Sequence, residues 1–409
     1  MRLNDPEGSP GAADAGQNHD GNPPNPYQTR GDAPPLGLYI HLPFCASRCP
    51  YCDFFALRHA AGPARALIPA LLRHLEMIAP LAGGRLLDHV YLGGGTPSLL
   101  PAARIAQLLE GARRHVGLAL GCEVSLEANP GTLSRGKLAA LLAAGVNRLS
   151  LGVQSFQPGL LRALGRRHTP ADTRRAVSQA RAAGFSNLSL DLMYGLPGQD
   201  LALARADILA ALELGPEHVS LYELTLAEHT PLGQALVKGR PPLPSEDALL
   251  AMEDQALAML ETAGLKRYEV SNFARPGREC RHNRDTWRGG DYLALGPGAH
   301  SHLAGRRWAW LPDVEAYVAG VKAGRPPLEF SEELTPAQRG LELMMLGLRT
   351  EEGVDLTRLR DLLGRDPRLA WQEPLARLLE RGWARLAGGR LRPTPRGLRM
   401  ADAAAAMFV

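Results

Sequence analysis

The sequence predicts an α/β protein in which a partial, TIM-like (β/α)6 barrel precedes a smaller C-terminal winged-helix-like domain. Three observations support this fold class. Short apolar runs alternate with amphipathic stretches through the middle of the chain, which is typical of a parallel sheet covered by helices. This unit recurs six times. After Ser331 the pattern changes to three short helical stretches and a hairpin centred on two glycines.

The six predicted strands are short and apolar, and glycine or polar residues cluster just after them. In α/β barrels the chemistry lies at these strand ends. The predicted strands cover residues 37–42, 89–92, 123–127, 148–153, 188–191 and 219–224. The clearest helical patterns between them cover residues 65–78, 101–115, 171–183 and 201–212. A two-stranded wing is predicted over residues 381–398.

The length of 409 residues, 45% of them hydrophobic, suffices for one large domain and a smaller one. We expect residues 1–35 to form a disordered extension, because they are rich in Gly, Pro, Asn and Asp and lack the apolar segment of a signal peptide. The core barrel is predicted over residues 36–270. A connecting region is predicted over residues 271–330, and the winged-helix-like domain over residues 331–409.

Charge and cysteine usage limit the function classes. The formal net charge is only +4, without the basic clusters typical of nucleic-acid binding, so we expect no nucleic-acid partner. Three of the five cysteines lie within eight residues, which indicates a metal site in a reducing compartment, the cytoplasm. Cys122 and Cys280 are expected to be buried thiols. Because no apolar run is long enough to cross a bilayer, no integral membrane segment is expected.

The strongest motif is the run YIHLPFCASRCPYCDFF, which contains Cys45, Cys49 and Cys52. Thiolates on such a short loop can hold three corners of a [4Fe-4S] cluster. With no fourth cysteine nearby, one iron stays open to chelate the amino and carboxylate groups of S-adenosylmethionine (SAM). A zinc site completed by His41 or Asp53 is the alternative.

This cysteine loop, placed after the first of six βα units, resembles the radical SAM superfamily. Four further runs resemble its anaerobic coproporphyrinogen III oxidase group, namely GGGTPS, LEANP, RLSLGVQSF and LSLDLMYGLPGQ. The resemblance covers roughly residues 36–400. It implies that the cofactors are a [4Fe-4S] cluster and SAM.

Several of these runs end predicted strands with residues suited to SAM. Glycines such as Gly94 and Gly95 let backbone groups approach a ligand closely, although a tight turn is an alternative explanation. Glu127, Gln154 and Asp191 lie at or just beyond strand ends, so we expect all three at one barrel mouth. There they would hydrogen-bond the ribose hydroxyls and the amino group of SAM.

The resemblance places five more residues around SAM. Tyr39 precedes the cysteine loop and Tyr51 lies within it. Thr96 follows the glycine run, and Thr225 follows the sixth strand. Arg166 stands where the group has an arginine that contacts SAM, and a solvated cation at a helix end is the alternative.

Two branches of the group differ in function, and two features favour the heme chaperones over the oxidases. The oxidases resemble Cys-x3-Cys-x2-Cys-x-Cys, whereas this chain has Phe54 at the last position. The run HNRDTW resembles the chaperones' His-Asn-x-x-Tyr-Trp motif, with Thr286 in place of tyrosine. Imidazole is a common heme ligand, so the resemblance implies that His282 binds heme, with Trp287 against the macrocycle. A structural histidine is the alternative.

The sequence therefore predicts a heme chaperone that binds heme and transfers it to an acceptor protein, using a [4Fe-4S] cluster and SAM. The alternative is an oxygen-independent coproporphyrinogen III oxidase, a radical SAM oxidoreductase of porphyrin biosynthesis. His300 and Cys280 are the next candidate heme ligands. A heme acceptor and an electron donor are the expected partners, and the sequence identifies neither.

Overall fold

The structure, a computed structural model, describes residues 34–225, 227–237 and 242–409. The extension predicted over residues 1–35 lies outside the described residues except for its last two positions. All contacts discussed below are within the described part of the chain.

Six parallel strands form the centre of the main sheet, in chain order. They are β1 (Leu36–Leu42), β2 (Leu87–Gly94), β3 (Leu118–Ala128), β4 (Arg148–Gln154), β5 (Leu188–Tyr194) and β6 (His218–Glu223). Each pairs in parallel with the next. The predicted series of six βα units is therefore confirmed.

Six further strands, which the sequence analysis did not predict, extend this sheet to twelve. They are β7 (Lys266–Glu269), β8 (Asn272–Ala274), β9 (Asp291–Leu295), β10 (His300–Leu303), β11 (Arg306–Trp310) and β12 (Leu328–Glu333). Beyond β6 lie β8 and then β7, whereas β9 pairs in parallel with β1 and is followed outward by β10, β11 and β12.

Ten helices of the described chain accompany this sheet. They are α1 (Ala61–Ile78), α2 (Ala102–His115), α3 (Arg135–Ala143), α4 (Pro158–Ala163), α5 (Pro170–Ala183), α6 (Leu201–Leu212), α7 (Pro231–Val237), α8 (Glu246–Thr262), α9 (Arg281–Trp287) and α10 (Val314–Lys322). Local signals set their ends: α5 begins at a Thr169–Asp172 capping box and ends at Gly184, whose φ is 106°.

Alternation along β1 separates the apolar core from the barrel interior. Leu38 and Ile40 are fully buried in the same cluster as Leu71 of α1. Burial of one such side chain contributes about 1.5 to 3 kcal/mol. Tyr39 and His41 point the other way, into the barrel, because successive strand residues face opposite sides. The core therefore holds the strands, and the interior is left for polar residues.

The C-terminal residues form a winged-helix-like unit with its own apolar cluster. Its elements are α11 (Pro336–Gly347), β13 (Val354–Asp355), α12 (Leu356–Leu363), α13 (Pro367–Ala370), α14 (Gln372–Glu380), β14 (Ala384–Ala387), β15 (Arg390–Pro393), α15 (Pro395–Arg399) and α16 (Ala401–Ala406). The predicted wing is β14 and β15, which turn at Gly388 and Gly389 with φ of 57° and 73°.

The two ends of the main sheet differ. At β7, the Val270 amide donates to the Arg349 carbonyl at 3.0 Å, and the Glu351 amide donates to the Tyr268 carbonyl at 3.0 Å. The segment that follows α11 therefore covers this edge. At the other end, every residue of β12 is exposed, and in the described part of the chain no further strand pairs with it.

Candidate functional site at the barrel mouth

The cysteine loop follows β1 at the carboxyl end of the parallel strands. Cys45 ends a two-residue strand that pairs with Leu57–Arg58. The Cys52 amide donates to the Cys49 carbonyl at 3.2 Å, which closes the loop into a turn. All three thiols are free and partly exposed, whereas Cys122 and Cys280 are buried as predicted.

The surroundings of the loop fit a [4Fe-4S] cluster better than zinc. His41 Nε2 donates to the Phe55 carbonyl at 3.0 Å, and its Nδ1 accepts from the Tyr39 hydroxyl at 2.9 Å, so neither nitrogen is left for a metal. Asp53 is exposed. Within the described residues the three thiols do not gather within 4.8 Å of one another. Two sulfurs on one zinc ion would be about 3.8 Å apart.

A series of hydrogen bonds between polar side chains connects Cys45 to Cys49. Thr96 Oγ1 donates to Cys45 Sγ at 3.6 Å, and Arg166 Nη1 donates to Cys49 Sγ at 3.7 Å. Asn129 lies between the two donors: its Nδ2 donates to Thr96 Oγ1 at 3.1 Å, and its Oδ1 accepts from Arg166. Burial raises the pKa of Cys45, and the hydrogen bond from Thr96 opposes that rise. These donors favour the thiolate, the form that binds iron.

The structure adds to the sequence analysis at Arg166 and Asn129. Arg166 is half-buried and also donates to the Gly152 carbonyl at 2.5 Å, so it is not a solvated helix-end cation. Asn129 was not predicted as a site residue, although it directly follows β3. Its position after a strand end was the signal available in the sequence.

The glycines after β2 are required by the protein's own packing. Gly94 has a φ of 105°, and a Cβ there would lie 2.5 Å from the His41 ring. A Cβ on Gly95 would lie 2.6 Å from the Phe44 amide nitrogen. The Gly94 amide donates to Glu127 Oε2 at 3.1 Å. Close approach to neighbouring strands therefore accounts for both glycines, and a SAM contact remains a prediction.

Glu127 lies near the end of β3 and faces the barrel interior. Its Oε1 accepts from the Tyr91 hydroxyl at 2.9 Å, and its Oε2 accepts from Gly94. Burial raises the pKa of Glu127 to about 7, although both hydrogen bonds act against the rise. The carboxyl group therefore changes charge near neutral pH.

Gln154 and Asp191 lie at different depths. Gln154 is the last residue of β4, and its φ of 67° is unusual for a residue other than glycine. Asp191 lies inside β5, which continues to Tyr194, so it is deeper than predicted. Its carboxylate accepts from Ser150 Oγ at 2.9 Å. Burial raises the pKa of Asp191, and hydrogen bonds from serines oppose that rise.

A buried arginine lies among these acids. Arg148, the first residue of β4, is 2% exposed. Burial lowers the pKa of Arg148, but Cys280 and Glu123 raise it and prevail. Its charge also lowers the pKa of Glu127 and Asp191. The guanidinium of Arg148 therefore offsets the charge of several carboxyl groups in the barrel interior.

The other predicted SAM contacts are spread around the mouth. Tyr39 lies in the barrel wall next to His41. Tyr51 packs against a small apolar cluster that includes Leu160 and Met193. Thr225 is exposed just after β6. Tyr51 lies within the cysteine loop and Thr225 just after a strand end, and their contact with SAM stays a prediction.

His282, on α9, lies among aromatic rings. Its ring centroid is 4.8 Å from that of Tyr91 and 5.7 Å from that of Tyr39, both nearly parallel. His89 and Tyr292 present their edges at 5.4 Å and 6.0 Å. Burial lowers the pKa of His282 to about 3, so the imidazole is neutral, and its Nδ1 is buried without a hydrogen-bond partner.

Helix α9 packs at the opposite end of the barrel from the cysteine loop. The Arg281 amide donates to Glu123 Oε1 at 3.0 Å, and Arg281 Nη1 donates to Asp88 Oδ1 at 3.2 Å. Asp88 lies at the start of β2. Trp287, at the other end of the helix, lines a separate cavity of about 290 Å³ beside the C-terminal unit. His282 does not line that cavity, so the two motif residues face different spaces.

Two known protein families match this chain, one in the barrel and one in the C-terminal unit. Residues 39–206 match the model of the radical SAM superfamily, and residues 334–400 match that of the HemN C-terminal domain. The heme chaperone HemW of Escherichia coli K12 is 44% identical over 273 residues, which cover 66% of this chain and 71% of that protein. HemW of Mycobacterium tuberculosis H37Rv is 38% identical over 387 residues, 92% of this chain and 97% of that protein. The chain belongs to the HemW family.

Membership of the HemW family confirms the branch predicted from the cysteine loop and the HNRDTW run. HemW of Bacillus subtilis 168 is also 36% identical over 345 residues, 84% of this chain and 91% of that protein. Among solved structures, the radical SAM enzyme coproporphyrinogen III oxidase (HemN) of E. coli matches with a TM-score of 0.80 and 24% identity, covering 92% of this chain and 90% of that chain. At this identity the match shows a shared fold. The radical SAM family implies a [4Fe-4S] cluster and SAM.

None of the described helices is long and apolar enough to span a membrane.

Proposed function

We propose that this protein is a heme chaperone, which binds heme and passes it to an acceptor protein. The observation that carries the proposal is Phe54, which stands where the resembled oxidases have a fourth cysteine. Its side chain is 68% exposed beside the cysteine loop, so the position contributes no ligand. The relatives named heme chaperone HemW support the same function.

We further propose that Cys45, Cys49 and Cys52 hold a [4Fe-4S] cluster and that SAM binds at the adjacent strand ends. When bound, the cluster supplies an open iron site and an electron. The donors Thr96 and Arg166 stabilise the thiolates. SAM then lies against residues that follow the strands, with Gly94, Gly95, Gln154 and Thr225 at the rim. Glu127 and Asp191 are the proposed acidic contacts of SAM deeper in the barrel, and Tyr39 and Tyr51 are its proposed aromatic contacts.

For heme, His282 is the proposed ligand. A neutral imidazole with an unpaired nitrogen is the group that heme iron takes. Four aromatic rings lie within 6.0 Å of the His282 ring, so heme at this position would have to pack among them. His300 is exposed on β10, whereas Cys280 is fully buried. His300 is therefore the second candidate.

Coproporphyrinogen III oxidase activity is the second candidate function, favoured by the fold shared with HemN. One experiment separates the two. Anaerobically reconstituted protein is titrated with heme and assayed with coproporphyrinogen III, SAM and a reductant. We expect about one heme per chain, transfer of that heme to apomyoglobin as a general acceptor, and no protoporphyrinogen above the background of a triple cysteine-to-serine variant. Cluster-dependent conversion would overturn the chaperone proposal.

The heme ligand is tested by His282→Ala. We expect weaker heme binding and a shifted Soret band, because an axial nitrogen is lost. His300→Ala is the matched control, since it removes an exposed imidazole from β10. If His300→Ala shifts the Soret band and His282→Ala does not, His300 is the ligand.

SAM binding should depend on the charge of Glu127. Because burial places the pKa of Glu127 at about 7, the carboxylate forms as the pH rises through neutrality, and SAM affinity should rise with it. Glu127→Gln loses a charge-assisted hydrogen bond of about 1.5 to 3 kcal/mol, so affinity at pH ~8 should fall about tenfold or more and lose its pH dependence. Calorimetry measures both effects. Glu213→Gln, a change at an exposed carboxylate, is the control, and an unchanged affinity in Glu127→Gln would remove Glu127 from the site.

A further inference from the structure

A second group of metal-ligating side chains lies at the end of the barrel opposite the cysteine loop. Asp88 and His89 lie near the start of β2, and Asp285 lies on α9. One ligand atom from each residue lies within 4.8 Å of the other two. Ligand atoms around one ion, at metal distances of about 2.0 to 2.2 Å, are separated by about 3 to 4 Å, so only small side-chain movements would close the group around a cation.

His89 distinguishes this group from an ordinary cluster of acids. Its side chain is 2% exposed, and its Nδ1 has no hydrogen-bond partner. The Asp285 Oδ2 atom lies 3.4 Å from that nitrogen. On the other side of the ring, Nε2 lies against Gly37, where any Cβ would collide with it. The imidazole therefore packs against the Gly37 backbone on one side, and its unpaired Nδ1 faces the Asp285 carboxylate on the other.

The surrounding charges leave acceptor atoms for a cation. Arg281 Nη1 donates to Asp88 Oδ1 at 3.2 Å, and Arg288 Nη1 lies 3.9 Å from Asp285 Oδ1. The other carboxylate oxygen of Asp285, Oδ2, faces His89.

We propose that Asp88, His89 and Asp285 bind one divalent transition-metal ion, separate from the cluster on the cysteines. One imidazole and two carboxylates suit Zn²⁺, Mn²⁺ or Fe²⁺, which accept nitrogen and oxygen ligands together. The ion joins the start of β2 to α9. The ion would therefore hold α9, the helix that contains the HNRDTW run, against the barrel.

The test uses the full-length, cluster-loaded protein under anaerobic conditions, with Mn²⁺ alone as the probe. The EPR spectrum of the free ion reports how much Mn²⁺ stays unbound. We expect about one Mn²⁺ per chain, displaced by Zn²⁺. Asp285→Asn should weaken binding at least about tenfold, because a neutral amide replaces a charged ligand. Asp361→Asn, at an exposed carboxylate of α12, should bind like the wild type.

Further variants separate this site from the cysteines and from misfolding. The triple serine variant of Cys45, Cys49 and Cys52 should keep its Mn²⁺ site. Asp88→Asn gives a second test if Asp285→Asn does not fold, and saturating Zn²⁺ should raise the melting temperature of the wild type but not of either variant. The proposal is wrong if the wild type does not bind Mn²⁺ at about one ion per chain, or if Zn²⁺ does not displace it. It is also wrong if binding disappears in the serine variant and persists in Asp285→Asn.

Discussion

Replacing any one of Cys45, Cys49 and Cys52 with serine should remove the iron–sulfur cluster from the purified protein. In the proposed cluster each thiolate holds a different iron, and no other described cysteine lies within the loop to replace it. Iron and sulfide should fall from about four of each per chain to near zero. Chemical analysis of anaerobically purified protein measures both.

The two remaining cysteines are the matched controls. Burial raises the pKa of Cys122 and of Cys280 to about 12, so neither thiol supplies a thiolate at neutral pH. Cys122→Ser and Cys280→Ser should therefore keep the full iron content. One zinc per chain with little iron in the wild type would contradict the cluster, as would loss of iron in Cys280→Ser.

Arg148→Met should strongly destabilise the fold. The guanidinium is the cation that offsets Glu123, Glu127 and Asp191 inside the barrel, and methionine leaves their buried charges uncompensated. Breaking such a buried arrangement costs about 3 to 5 kcal/mol. We expect the melting temperature to fall on the order of 10 °C, or the protein to become insoluble. Thermal unfolding followed by circular dichroism measures the change.

Arg167→Met is the control for that experiment, because Arg167 is exposed in the segment between α4 and α5. Its melting temperature should stay within about 2 °C of the wild type. An equally small change in Arg148→Met would mean that the acids inside the barrel are protonated. The guanidinium would then not be needed to balance them.

The parts of the fold that the sequence predicted are those with a strong local signal. The strands β1 to β6 place apolar residues at alternate positions on the face that packs into the core, so each has a recognisable apolar pattern. The strand β12, with the sequence LEFSEE, is exposed at every residue and has no such face. The strands β7 and β8 have four and three residues, too few to show a period. They pair with each other locally, but β8 joins the sheet through β6, which is distant in sequence.

The candidate site was predictable to a similar extent. The cysteine spacing and the strand-end residues are local features, and the structure brings Thr96 and Arg166 to the cysteine sulfurs. The role of Asn129 as the link between them depends on three loops meeting, which a linear pattern does not contain. The position of His282, beneath Tyr39 and Tyr91 and away from the cavity of Trp287, depends in the same way on how α9 packs.

The exposed strand β12 bears on how the protein behaves at high concentration. Within the described residues no strand pairs with its outer side, whose backbone amides and carbonyls are a template on which a second chain could add a strand. Three of its six residues are Glu329, Glu332 and Glu333, so two copies meeting along this edge would bring carboxylates opposite one another. Electrostatic repulsion therefore opposes fibre-like growth along β12. We expect crowded solutions to remain clear at neutral pH and to aggregate first where acid discharges these glutamates.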